Sequence, residues 1–201
     1  MSIIRRLFAL LIFIAISPFL LAVSVLILVT SGSPVLFIQK RSGKAKRTFL
    51  MYKFRTMEKN AEKVKYKYRH LNEADGPVFK IRNDPRYTKA GRILSHLGLD
   101  EIPQLINIIK GEMDFVGPRP LPISEALKIP KKYEMRFSTL PGVTSPWILE
   151  GAHNLTFGKW MELDVRYVKE KNIIKDLEIF VKTMFYIIKL IRNKCLNQSG
   201  R

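Results

Sequence analysis

At 201 residues the chain is long enough for one domain with a real hydrophobic core and too short for two comfortable ones. Its 35 Lys and Arg against 17 Asp and Glu give a formal charge of +18, so its partners are anionic: nucleic acid, phosphorylated metabolites or acidic lipid headgroups. A single cysteine excludes an internal disulfide, and three scattered histidines are too few for a zinc site.

The apolar run Leu7 to Val29 is long enough to cross a hydrocarbon core of about 30 Å. It is too long for a secretory signal, whose apolar region is about 7 to 15 residues. Ser17 and Pro18 stand at its midpoint, where Pro18 lacks an N–H and its ring collides with the carbonyl of Ile14, so a helix kinks or breaks there. Arg5 and Arg6 flank one end, while Lys40, Arg41, Lys44, Lys46 and Arg47 follow the other. Positive charge on both sides favours a segment that enters the membrane, bends and returns; a kinked spanning helix is the alternative.

Next, residues 35–57 read as two strands around a turn at Ser42, Gly43 and Lys44, with Phe49, Met51 and Lys53 alternating with Leu50, Tyr52 and Phe54. Residues 58–77 are lysine-rich and predict a helix that Asp75, Gly76 and Pro77 stop. Residues 77–98 predict a short strand, a turn at Asn83, Asp84 and Pro85, and a helix starting near Thr88. Near the C-terminus, Ile173, Leu177, Phe180, Val181, Met184, Ile188 and Ile191 fall on one helical stripe. That stripe fits either packing against the core or lying in the headgroup layer.

Between these parts lies LDEIPQLINIIKGEMDFVGPRP, Leu99 to Pro120. Leu105, Ile106, Ile108 and Ile109, with Gly111 as a stop and Pro103 tolerated only in a first turn, predict a helix that begins close to Asp100. Asp100 and Glu101 then sit at a helix N-terminus, where the dipole favours an ionised Asp100. On their own these residues read first as an ordinary cap. An ionised carboxylate is also a nucleophile toward phosphorus, provided that a divalent cation and a fixed arginine offset the repulsion between anions. Arg119, held between Pro118 and Pro120, suits that clamp, although Gly-Pro-Arg-Pro alone also reads as a rigid turn.

Taken together, Ser17-Pro18, YKFRTM (Tyr52 to Met57), ADGPVFKIRNDPRYTKAGRIL (Ala74 to Leu94), the Leu99 to Pro120 stretch, LPGVTSPW and WMELDVRYV resemble the monotopic phosphoglycosyl transferases, the bacterial sugar transferase family. The likeness spans nearly the whole chain in its minimal catalytic form. It implies an α+β fold: a re-entrant membrane helix-break-helix at residues 1–33, then a catalytic domain at 34–201 made of helices with a short β-hairpin. It also implies interfacial amphipathic helices, one at residues 173–194.

The implied reaction is the first membrane step of bacterial glycan assembly, on the cytoplasmic face of the inner membrane. Asp100 attacks the β-phosphorus of a nucleotide-sugar, a UDP-sugar in most members, and polyprenyl phosphate then takes the phosphosugar from the aspartate. The family's metal is Mg2+, or Mn2+ in its place, with Asp100 and Glu101 as ligands; Glu101 has a second candidate role in deprotonating the lipid phosphate. The resemblance places Arg119 and Pro118 at the phosphate, with Lys53 and Arg55 on the strand facing the site. Anionic membrane lipids are further partners, and a homodimer stays open.

Departures from the family pattern cluster at a few positions. A basic pair ahead of the dyad is replaced by Ser95 and His96, for which Arg92 is a candidate substitute. Gly151, Ala152, His153 and Asn154 replace a frequent Gly-Arg-Asn, which makes His153 a candidate for sugar or nucleotide contact, and Ser145, Pro146 and Trp147 replace small residues. Two other classes compete. One is a one-step membrane glycosyl or phosphoryl transferase with Asp100 as a metal ligand only. The other is a basic membrane-tethered binding protein, supported only by the aromatics in KVKYKYRH; no nucleic-acid-binding motif appears, so no nucleic acid is expected.

Overall fold

The computed structural model describes residues 2–151 and 155–198. Two helices come first, α1 (Ile3–Ala15) and α2 (Ser17–Ser31), bent by 61° at the break between them. The Ser17 hydroxyl donates to the Ile14 carbonyl at 2.8 Å, which satisfies the oxygen that Pro18 cannot serve. Neither helix alone is long and apolar enough to cross a membrane, whereas the bent pair passes that test of length and composition together. Its outward face exposes Ile3, Ile4, Leu7, Leu11, Ile14, Leu21 and Val29.

The expected hairpin is present as β1 (Leu36–Ser42) and β2 (Thr48–Phe54), paired antiparallel, with Lys53 opposite Phe37. Its connection is longer than a tight turn, running Gly43 to Arg47 with Ala45 and Lys46 at positive φ. Phe49 and Met51 are buried on one face of β2, and Lys53 continues that parity toward the interior.

Two expectations fail in the next stretch. Residues 58–77 form turns and a 3-10 helix at Lys65–Leu71 instead of a longer helix. Lys59, Lys63 and Lys67 stand four apart, so an α-helix would stack like charges along one face. No strand forms at 77–82, because its backbone is engaged locally: Lys80 N–H donates to Asn72 Oδ1 (2.7 Å) and Arg82 N–H to Glu73 Oε2 (3.2 Å). Helix α3 (Lys89–His96) begins where expected, with Thr88 Oγ1 accepting from Gly91 N–H. Gly91 is required by contact, since a Cβ there would lie 2.0 Å from the Thr56 carbonyl oxygen.

The stretch from Leu99 starts as a 3-10 turn, Leu99–Gln104, and only then becomes α4 (Leu105–Lys110). Pro103 has no N–H for an α-helical ladder, so that ladder begins after it. Gly111 closes α4 at φ +82°, as anticipated. The fully buried Asn107 bolts α4 to the free edge of β2: its Nδ2 donates to Leu50 O (2.6 Å), and its Oδ1 accepts from Tyr52 N–H (3.1 Å).

Beyond α4 come β3 (Asp114–Val116), β4 (Leu121–Pro122), α5 (Ile123–Ala126), a 3-10 helix at Lys131–Phe137, β5 (Gly142–Thr144) and α6 (Pro146–Leu149). β4 adds to β1 to make a three-stranded sheet in the order β2-β1-β4, and β3 pairs with β5 in parallel. The chain ends in α7 (Phe157–Glu170) and α8 (Ile173–Gln198).

The stripe anticipated on α8 is not its packed face. Ile173, Leu177 and Ile188 are exposed, while Asp176, Ile179 and Thr183 are buried. Polar pairings set this rotation: Tyr167 donates from its hydroxyl to Asp176 Oδ1 (2.6 Å), and the Thr144 and Thr183 hydroxyls share a 2.7 Å hydrogen bond.

Both ends of the N-terminal pair are fastened to the rest of the molecule. Arg5 bridges Asp114 and Asp176, at 2.5 and 2.9 Å, and Arg6 Nε donates to the Ile109 carbonyl at the end of α4 (2.7 Å). Ala9 packs among Phe49, Met51, Leu105, Ile108 and Met113; Leu20, Val23 and Ile27 pack with Phe54 and Leu94.

Candidate active site

β2 and the 3-10 turn after α3 bring Lys53 to the carboxylate pair. Lys53 Nζ lies 2.6 Å from Glu101 Oε1 and 4.0 Å from Asp100 Oδ2. Arg119 reaches Glu101 from the other side, Nη2 at 2.7 Å from Oε1 and Nη1 at 3.4 Å from Oε2. Glu101 is thus gripped by two cations, and both hold its carboxyl far below the usual carboxylate range in spite of burial.

Asp100 behaves differently. Burial is the main influence and pushes its carboxyl up to about 6, with Lys53 and Arg119 opposing and Glu101 reinforcing. The helix start was expected to favour the charged form, but only a short 3-10 turn stands there, and desolvation outweighs it.

The loop that carries Arg119 is held by its backbone. Gly117 comes so close to β5 that a Cβ on it would lie 2.5 Å from Leu140 O, which fixes where the Pro118-Arg119-Pro120 turn departs. Arg136 Nη2 donates to the Arg119 carbonyl (2.9 Å), and Arg41 Nη1 donates to that of Pro120 (3.0 Å). Arg136 is itself paired with the fully buried Asp164, from Nη2 at 2.8 Å and Nε at 3.1 Å. Burial, with Arg119 nearby, pushes the Arg41 guanidinium down to about 10.

Other expected residues are placed as follows. Arg55 does not face the dyad: it is buried at the end of α2, its Nη2 donating at 2.5 Å to both the Ser31 and Gly32 carbonyls. Arg92 is exposed on α3, outside this set. Ser95 pairs with the Tyr87 hydroxyl at 3.0 Å, and His96 meets the Tyr87 ring edge-on, so a tyrosine organises the position of the missing basic pair. His153 lies outside the described residues. No group of three or more His, Cys, Asp or Glu side chains is placed to cage a metal among the described residues.

Sequence reasoning missed Arg41, Arg136 and Asp164. Asp164 carries a readable signal: it falls between Met161 and Tyr167 on the buried face of α7, where a charge requires a partner.

The family model described as bacterial sugar transferase matches residues 2–190. The chain belongs to the bacterial sugar transferase family. This transferase is 37% identical over 158 residues to the galactosyl transferase CpsE of Streptococcus agalactiae, covering 78% of the chain and 35% of that protein. It is 35% identical over 182 residues to the exopolysaccharide production protein ExoY of Sinorhizobium fredii, covering 89% and 80%. It is 32% identical over 168 residues to the undecaprenyl-phosphate galactose phosphotransferase of Salmonella typhimurium, covering 79% and 34%. The transferase therefore spans about a third of two of these relatives and four fifths of ExoY.

Proposed function

We propose that the transferase moves a phosphosugar from a nucleoside diphosphate sugar to polyprenyl phosphate through an aspartyl-phosphosugar intermediate on Asp100. The observation that carries this reading is the contrast within the dyad: Glu101 is neutralised by Lys53 and Arg119, while Asp100 is buried beside them with its charge less compensated. A carboxylate so placed is a competent nucleophile. Relatives named as undecaprenyl-phosphate galactose phosphotransferase, and as a UDP-N-acetylgalactosamine enzyme acting on undecaprenyl phosphate, supply the donor and acceptor classes.

In the first step an Asp100 oxygen attacks the β-phosphorus, and the bond from that phosphorus to the oxygen bridging the two phosphates breaks, releasing nucleoside monophosphate. Arg119 exchanges Glu101 for phosphate oxygens, and Lys53 stays on the carboxylates. In the second step a lipid phosphate oxygen attacks the same phosphorus and displaces Asp100. Asp100 and Glu101 would be the protein ligands of Mg2+, a donor set that fits because Mg2+ is commonly held by one or two carboxylates, with substrate oxygens completing its shell. When bound it offsets charge on the transferring phosphoryl group.

The reading also places the N-terminal pair as a re-entrant anchor on the cytoplasmic face of the bacterial inner membrane. Support comes from its length and fastening. At 13 and 15 residues the two arms are each roughly 20 Å long, short of the 30 Å core. Arg5 and Arg6 at one end and Ser31 and Gly32 at the other bond to one globular body. The exposed apolar stripe of α8 suits the headgroup layer beside it, because Phe8 of α1 packs at a tilt against Phe115, and Phe115 meets Phe180 of α8 edge-on.

The test is to mix transferase, Mg2+ and UDP-sugar without lipid. Stoichiometric UMP release and a phosphosugar adduct in the intact mass are expected, both lost in Asp100→Asn. Normal lipid loading by Asp100→Asn overturns the nucleophile.

A further inference from the structure

The segment ADGPVFK, Ala74 to Lys80, takes no part in the steps above, yet it is built with care. Asn72 organises it: Nδ2 donates to the Ala74 carbonyl (2.8 Å) and the Val78 carbonyl (3.3 Å), while Oδ1 accepts from Lys80 N–H (2.7 Å). Glu73 N–H donates to the Lys80 carbonyl at 2.8 Å, and Asp75 Oδ1 accepts from Phe157 N–H at the start of α7 (2.6 Å). The backbone of Lys80 is fixed on both sides, and its side chain is half-buried.

Its ammonium sits 5.4 Å from the ring centre of Trp147, and the Arg119 guanidinium carbon lies 5.8 Å from the same ring. Trp147 is buried and stacked on Trp160, centroids 4.8 Å apart. One indole therefore carries two cations, and one of them is the clamp of the dyad. Cations crowd here: burial, with Arg119 and Arg82 nearby and Glu73 opposing, pushes the Lys80 amine down to about 8. A multivalent anion relieves that crowding.

The Trp147 side of the dyad is distinct from the side packed on the helix pair. Trp160 packs with Val78, Leu121, Ala126 and Phe137, a cluster that shares no residue with the two that hold α1 and α2. Ile102, next to the dyad, belongs to the latter two.

We propose that Lys80, with Trp147 as the wall behind it, binds the α-phosphate of the donor and so holds the nucleoside monophosphate that leaves in the first step. The assignment rests on the transfer reaction proposed above. It makes Lys80 a residue of the donor half-reaction and leaves the acceptor half-reaction to other groups.

Trp147 and Trp160 are the chain's two tryptophans, so selectively excited tryptophan fluorescence of the whole protein reports on this wall. The experiment titrates the full chain, in nanodiscs of phosphatidylglycerol and phosphatidylethanolamine, with UMP. A saturable fluorescence change is expected, with the Kd raised about tenfold or more in Lys80→Met, as for a lost charge-assisted contact, and nearly kept in Lys80→Arg. In steady state Lys80→Met raises the donor KM by a similar factor and leaves the acceptor KM alone. If Lys80→Met does not fold, Lys80→Gln is read the same way. No saturable change with UMP, or an unaltered Kd in Lys80→Met, overturns the proposal, as does a rise in the acceptor KM instead of the donor's. Binding of UMP through Lys80 without any phosphosugar transfer keeps the subsite and refutes the reaction. Transfer with a Lys80-independent UMP affinity does the reverse.

Discussion

Arg136 and Asp164 form an ion pair sealed from water, with side chains 1% and 0% exposed and Nη2 2.8 Å from Oδ2. The same Nη2 supports the Arg119 carbonyl, so the pair is a strut beneath the clamp. Removing only one partner strands a buried charge. Asp164→Ala is expected to cost about 3 to 5 kcal/mol in urea unfolding. The double variant Asp164→Leu with Arg136→Met is expected to regain much of that stability and still turn over slowly, because Arg119 has lost its strut. Equal turnover in the double variant and the native chain refutes the strut.

Asp100→Asn is expected to stabilise the protein while abolishing transfer. Its carboxyl is raised from 3.8 to about 6 by burial, so the folded state holds the proton more tightly than the unfolded chain. Stability therefore falls as pH rises from about 4 through about 6, and the deficit is fully present above that. In metal-free buffer the asparagine variant should be more stable by about 1 to 3 kcal/mol at pH 7.5 and equal to the native chain near pH 4. A pH-independent difference argues against this origin.

Lys53 and Arg55 separate function from fold. Lys53→Met removes the cation shared by the dyad, and its turnover is expected to fall about a hundredfold or more, a loss of roughly 3 kcal/mol in transition-state stabilisation. Arg55→Ala frees the Ser31 and Gly32 carbonyls, and is expected to lower stability by about 1 to 3 kcal/mol with the donor KM unchanged. Thermal melts and initial rates on both variants decide it, and a raised donor KM in Arg55→Ala restores that arginine to the substrate site.

The anchor is open to labelling. In a Cys195→Ser background, Ser2→Cys should react in intact cells with a membrane-permeant maleimide and not with an impermeant one. Reaction with the impermeant reagent moves the N-terminus outside and replaces the re-entrant reading with a spanning one.

What was legible in the chain was local chemistry. Pro18 announces the bend, Gly111 the end of α4, and alternation the hairpin, because each acts within a few residues. The dyad and Arg119 are equally readable as a motif, and the structure brings them together at 2.7 Å. Arg55 misleads because the resemblance puts it on a strand facing the site, whereas its guanidinium turns to the end of α2. The stripe on α8 left two readings open, and the structure divides them: most of the apolar stripe is exposed, while hydrogen bonds from Tyr167 and Thr144 choose the packed face. Arg136 meets Asp164 across 28 residues, a pairing that only the tertiary arrangement creates.

Glu101 occupies both Lys53 and Arg119, the second of which the proposed reaction hands to the substrate. An incoming anion therefore competes with a tethered rival rather than with water. A monovalent anion merely replaces one single charge with another and gains little from the exchange. A diphosphate arrives with higher valence and more acceptor oxygens, so it can displace the tethered carboxylate and still leave it a cation. On the proposed reaction, the resting site is expected to screen ligands by valence before any contact with sugar or base.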